Sequence, residues 1–200
     1  MRLTILANRI SNVFNPPVMA FIAFAAINFY IVNNLFLAIA GTMVCWIFNS
    51  IIPGIYVLYL NKTGKISHYH VPIREQRTRP YLMAIASYSI GLILLLLLKA
   101  PFQVWGLMFC YITNTIVVLS INIKWKISAH AAGLTGALTG TLFALGPLIS
   151  IFFVLLIPVC WARYYLSAHT MLQLITGSFL GFTLTFFQLG FLGSLLHVAC

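Results

Sequence analysis

Three short polar clusters interrupt an otherwise apolar sequence, and each carries side chains suited to a phosphate anion. They are Arg74-Glu75-Gln76-Arg77-Thr78-Arg79-Pro80, then Lys124-Trp125-Lys126-Ile127-Ser128-Ala129-His130, then Arg163-Tyr164-Tyr165-Leu166-Ser167-Ala168-His169, with Gln173 just beyond. Guanidinium groups present a planar fork of donors that matches oxyanion oxygens two at a time. Imidazole changes charge near neutral pH, so His130 and His169 are candidates for nucleophilic and acid-base work. Each cluster abuts the start of an apolar segment, where free backbone N–H groups and the helix dipole favour an anion. Residues 169 and 173 are one helical turn apart, which lets the Gln173 amide oxygen accept from His169 Nδ1–H.

What is missing narrows the chemistry further. Glu75 is the only acidic side chain in the sequence. Magnesium and calcium sites are built largely from carboxylates, so the reading calls for no metal and no cofactor, with the work left to His, Arg, Lys and hydroxyl groups. His68-x-His70 lacks the Cys, Asp or Glu partners of a zinc site and is read as part of a loop. Cys45, Cys110, Cys160 and Cys200 contain no C-x-x-C pair and read as buried or terminal thiols.

The elements that must position these groups are membrane helices. The sequence is 62% hydrophobic with a mean hydropathy of +1.04, well above the roughly 45–50% apolar share of soluble domains. Crossing the hydrocarbon takes about twenty apolar residues. Helices are expected over 16–33, 35–60, 80–99, 102–122, 130–146, 147–162 and 170–198, giving an all-α, polytopic bundle of six or seven transmembrane helices in a single domain spanning 1–200. The turn between the first two falls either at Asn33-Asn34 or at Gly41. Pro147 after Gly146 separates the fifth from the sixth. Gly133, Gly136, Ala137 and Gly140, and likewise Gly177 and Gly181, form small-residue stripes that let helices approach closely in lipid. Residues 1–15 lack a signal-peptide pattern. Leu3, Ile5, Leu6 and Ile10 suggest instead a short helix with one apolar face on the membrane surface.

Counting crossings puts the N-terminus, 61–79, 123–129 and 163–169 on one side. That side holds Arg2, Arg9, Lys62, Lys65, Arg74, Arg77, Arg79, Lys124, Lys126 and Arg163, and of the eleven basic residues only Lys99 lies opposite. The positive-inside rule would make the basic face cytoplasmic in a cell membrane of prokaryotic type, although a phosphate site would itself gather cations there. His197 falls at the opposite interface. The charge is therefore referred to the bilayer and an anionic lipid, with no nucleic acid partner.

Across residues 74–173 the order of these clusters resembles the type 2 phosphatidic acid phosphatase superfamily, with its signatures Lys-x6-Arg-Pro, Pro-Ser-Gly-His and Ser-Arg-x5-His-x3-Asp. Arg79-Pro80 looks like the end of the first signature, and Pro72 stands where that signature has its lysine. Ser128-Ala129-His130 looks like the second, with Ile127 and Ala129 in place of proline and glycine. Arg163 and His169 keep the spacing of the third, and Gln173 stands at its aspartate. The resemblance implies a metal-independent phosphatase acting on a lipid phosphomonoester or diphosphate. By that resemblance His169 would attack phosphorus, His130 would protonate the leaving oxygen, and Gln173 would orient His169. Arg163, with two of Arg74, Arg77 and Arg79, would bind the non-bridging oxygens together with Ser128, and Lys124 or Lys126 could add a further charge. Two rival readings use the same residues: a lipid phosphotransferase with the same histidine pair, and a transporter or binding protein for anionic lipids.

Overall fold

A computed structural model describes residues 1–196; His197 and Cys200 lie outside the described residues. The chain is all-helical. Its elements are α1 (Arg2–Val13), α2 (Pro16–Ile31), α3 (Leu35–Trp46), α4 (Ile52–Lys62), α5 (Thr78–Leu97), α6 (Phe102–Lys124), α7 (Ala129–Leu145), α8 (Leu156–Tyr165) and α9 (Met171–Leu195). All seven expected segments are helical. Five continuous runs are long and apolar enough to cross a membrane, and α1 with α2, bent by 46°, adds a sixth where the pair is counted as one span.

Local signals account for the boundaries. Asn15 accepts from Val18 N–H at 2.9 Å, and Pro16 and Pro17 occupy the first turn of α2, where a missing N–H costs nothing. The turn to α3 falls at Asn33-Asn34, with the Asn34 side chain accepting from Leu37 N–H at 3.1 Å. Gly41 lies inside α3 instead, where an added Cβ would stand 2.6 Å from Asn28 Oδ1. A π-turn over Ile47–Ile51 joins α3 to α4 in one 28-residue run. It leads into Pro53, which has no N–H for the regular ladder. Gly146 has φ of 93° and ends α7; a 3-10 stretch, Pro147–Leu155, then leads into α8.

Burial follows the membrane pattern. Leu82, Ile90, Ile93 and Leu97 on α5 and Phe179, Phe187 and Phe191 on α9 point outward, whereas Ser87, Thr135, Thr139 and Thr185 are buried between helices. Lipid solvates the apolar faces, so small and hydrogen-bonding residues make the interfaces. Thr113 Oγ1 donates to Gln188 Oε1 at 2.6 Å, and Asn114 Nδ2 donates to Thr185 Oγ1 at 2.9 Å, tying α6 to α9.

The closest approach is between α7 and α9. A Cβ on Gly177 would lie 2.7 Å from the Ser128 carbonyl oxygen, and Gly181 is crowded by Ala132 and Thr135. Ser128 N–H donates to the Gln173 carbonyl at 3.3 Å. The starts of α7 and α9 are therefore held together; His130 lies in the first turn of α7, and His169 two residues before α9 begins.

Candidate active site

The Arg-x5-His spacing is converted into proximity by the end of α8. Both Ala168 N–H and His169 N–H fold back onto the Arg163 carbonyl, at 3.0 and 3.3 Å. Ser167 takes φ of 50° to allow it. This is a helix ending of the left-handed type, made here by serine at a position that usually favours glycine. Arg163 and His169 consequently line one cavity with Arg77 and His130.

That cavity has a volume of about 420 Å³ and a mixed lining. Arg77, Arg163, His70, His130 and His169 supply its basic groups; Pro53, Val57, Leu58 and Ala84 belong to the apolar remainder. Leu58, one of these apolar lining residues, is itself about half exposed.

Both arginines are withdrawn from solvent, with Arg77 at 6% and Arg163 at 5% exposure. Arg77 donates from Nε to the Val71 carbonyl at 2.9 Å and from Nη1 to the Ile127 carbonyl at 3.0 Å. That uses two of the five N–H donors a guanidinium offers. Arg163 Nη1 makes only a long contact of 3.4 Å to Ser11 Oγ, and its buried Nε has no partner. Among the described residues the only carboxylate is that of Glu75, which is bound by Arg74 at 2.7 Å. Two buried cations thus share a cavity without a counterion, a costly arrangement unless an anion completes it.

His169 is oriented by its neighbour one turn on. Its Nδ1 lies 3.0 Å from Gln173 Oε1, and the same oxygen accepts from Thr170 N–H at 3.3 Å. A group that accepts from a backbone N–H is the amide oxygen, so the ring proton sits on Nδ1 and Nε2 keeps its lone pair. Gln173 also completes a capping box with Thr170 at the start of α9, so it serves the helix and the histidine together. Replacing Gln173 with glutamate preserves reach and acceptor, and activity is expected to be kept or raised. Gln173→Leu should lower kcat at least tenfold. Steady-state kinetics of the two variants separates orientation of His169 from a purely structural role.

Burial pushes the His169 pKa down to about 3, with Arg77, Arg163 and Lys126 adding repulsion against the Gln173 hydrogen bond. The imidazole is therefore neutral at physiological pH, with the lone pair of Nε2 free. The same shift has a stability consequence. Between pH 6.5 and about 3 the unfolded chain binds a proton on His169 that the folded chain refuses, so stability falls as pH drops through this window and is unaffected above it. Thermal unfolding in detergent should show a falling Tm from pH 7 to pH 4. The His169→Gln variant should flatten that slope by at most about 1.4 kcal/mol per pH unit.

His130, 8% exposed, donates from Nε2 to the Ser11 carbonyl, an N···O distance of 3.2 Å. Ser11 thus touches both His130 and Arg163. The outward face of α1 carries Leu3, Ile5 and Leu6, while Ala7 and Ser11 are buried against α8. By its apolar pattern alone this segment is a surface helix, and that pattern does not bring Ser11 to the site. The available signal is the small pair Ala7-x3-Ser11, one helical turn apart.

The remaining expected residues go elsewhere. Arg74 is clamped by Glu75 and donates to the Ile123 carbonyl in the last turn of α6, where a cation suits the helix dipole. Arg79 is exposed, and neither it nor Arg74 lines the cavity. Ser128 is fully buried as the cap of α7, its hydroxyl oxygen accepting from Ala131 N–H at 3.3 Å. Lys126 and Gln173 line a separate groove that meets the cavity at His169. The short loop 125–128 gives Lys126 a pKa lowered by burial and by Arg77 and Arg163. Among the described residues no three His, Cys, Asp or Glu side chains converge as a metal set.

Fold and cavity together define a multi-pass, all-helical membrane protein with a cationic, histidine-lined pocket near the ends of its helices. No protein-family profile matches the sequence, and neither a curated protein nor a solved structure matches it.

Proposed function

We propose that this chain is a metal-independent lipid phosphate phosphatase that works through a phosphohistidine on His169, as its resemblance to the type 2 phosphatidic acid phosphatase superfamily implies. The observation that carries the reading is the pair of buried, carboxylate-free arginines, Arg77 and Arg163, in one cavity with His130 and His169. A phosphate supplies the missing negative charge. The apolar residues that line the same cavity suit the hydrophobic body of the molecule that carries it.

In this mechanism His169 Nε2 forms a bond to phosphorus as the bond from phosphorus to the lipid oxygen breaks. Gln173 holds the proton on Nδ1 throughout, and the developing imidazolium is stabilised by the same contact. His130 gives a proton to the leaving oxygen. With Nε2–H committed to the Ser11 carbonyl, the transferable proton is one that Nδ1 takes up as the phosphate charge enters the cavity. Water then attacks the phosphohistidine and gives a proton back to His130, and phosphate leaves. Arg77 and Arg163 stabilise the equatorial oxygens in both steps. Positioning and charge stabilisation supply most of the acceleration in phosphoryl transfer, so two fixed guanidinium groups are chemically sufficient.

The test is direct. Purified protein in detergent, offered a panel of lipid monophosphates and diphosphates, should release inorganic phosphate from at least one of them. The rate should be insensitive to EDTA. Label retained in a new lipid would assign a phosphotransferase instead, and lipid binding without turnover by any panel member would reduce the site to a binding pocket.

A further inference from the structure

The lining of the cavity contains a histidine outside all three polar clusters. His70 belongs to the loop between α4 and the 3-10 turn Arg74–Arg77, and its ring is centred 6.3 Å from that of His130. We propose that His70 is a third anion-binding group of this cavity, giving a ring N–H to a phosphate oxygen alongside Arg77 and Arg163; this rests on the cavity being a phosphate site.

The loop is built to hold the ring there. Val71 N–H donates to the His68 carbonyl at 2.8 Å, and His70 N–H donates to His68 Nδ1 at 3.1 Å. Val71 has φ of 44°, a conformation that a β-branched residue adopts only when its surroundings over-determine it. Here they do. The Val71 carbonyl accepts from Arg77 Nε, the Val71 side chain packs with Leu60 and Ile66, and Gln76 Oε1 accepts from both the backbone and the hydroxyl of Ser67. The residue that carries this strain therefore joins His70 directly to a buried arginine of the site. On one side the ring of Tyr69 lies 4.1 Å from that of His70, and on another His68 stacks at 5.3 Å.

The groups that face His70 are Arg163 from α8, Arg77 from the 3-10 turn, His130 from α7, His169 from the 166–170 loop, and His68 and Tyr69 from its own loop; Tyr81 and Tyr88 of α5 share the cavity. Among the described residues none of these is a carboxylate. Desolvation, then Arg163 and His68, lower the His70 pKa to about 4, so the ring is neutral when the cavity holds no anion. A phosphate reverses the local charge balance and favours the imidazolium. The proton comes from solvent, and binding is then linked to proton uptake.

Calorimetric titration of the detergent-solubilised full chain with inorganic phosphate at pH 6.5, in two buffers of different ionisation enthalpy, measures affinity and proton uptake together. His70→Gln should weaken phosphate binding about tenfold, the scale of one hydrogen bond to a charged group, and should reduce proton uptake relative to wild type. Lys62→Gln, which removes an exposed cation at the end of α4 that does not line the cavity, should do neither. Wild-type affinity and proton uptake in His70→Gln, with Arg163→Gln losing phosphate, would remove His70 from the site and leave the phosphate site standing. Phosphate failing to bind wild type at all would overturn both.

Discussion

Replacing His169 with alanine is expected to abolish phosphate release, by about 10⁴-fold or more, the scale seen when the nucleophile of a covalent mechanism is removed. The fold should tolerate the change. His169 lies in the turn after α8, and the backbone bond from its N–H to the Arg163 carbonyl survives truncation of the side chain. The variant should therefore express, remain monodisperse in detergent, and still bind inorganic phosphate through Arg77 and Arg163. A chemical signature accompanies the kinetic one. Wild type quenched during turnover of a labelled substrate should carry an acid-labile, alkali-stable phosphoryl group, and His169→Ala should carry none. Undiminished turnover in the variant would end the phosphohistidine assignment.

The second large effect is expected at Arg163, and it has opposite signs for function and stability. Arg163→Met keeps the length of the side chain but removes a buried charge that has one long contact and an unpartnered Nε. Without ligand, the variant should be more stable than wild type by about 1–3 kcal/mol, because the desolvation penalty of the guanidinium is gone. Turnover should fall by about 10²–10³, the cost of removing one preorganised group that stabilises transition-state charge. Phosphate should raise the Tm of wild type and leave that of Arg163→Met nearly unchanged. Lowered stability with turnover preserved would make Arg163 a structural residue of the α1–α8 contact. The comparison matters because a cation retained at a cost to folding is explained by its ligand, whereas a cation that only packs is explained by its neighbours.

A bilayer-spanning helical chain was legible because its solvent writes the pattern. Long uncharged runs have few alternatives, and all seven expected segments are helical within a few residues. The Arg163–His169 and Gln173–His169 relations were also legible, since both are local: one follows from a helix ending, the other from one turn of helix. The choice among Arg74, Arg77 and Arg79 was not. It depends on a 3-10 turn that delivers Arg77 inward to the Val71 and Ile127 carbonyls while Arg74 reaches the end of α6. A one-residue change in where α5 begins would alter that outcome, and spacing alone does not set it.

The sequence by itself therefore determined the environment, the set of available chemical groups and the short-range pairs: a membrane protein with one carboxylate, a histidine held by a glutamine, and an arginine six residues before it. Only the tertiary structure decided that Ser11 of α1 would hold His130 and touch Arg163, that His70 would enter the cavity, and that Ser128 and Arg79 would not line it. The physical reason is that such contacts join residues far apart in the chain, as Ser11 and Arg163 are. They depend on how closely α7 meets α9 at Gly177 and Gly181 and on how α1 lies against α8. Hydrophobic periodicity can say which side chains avoid water, but in lipid it cannot say which helix faces which, because the bilayer satisfies every apolar face equally well.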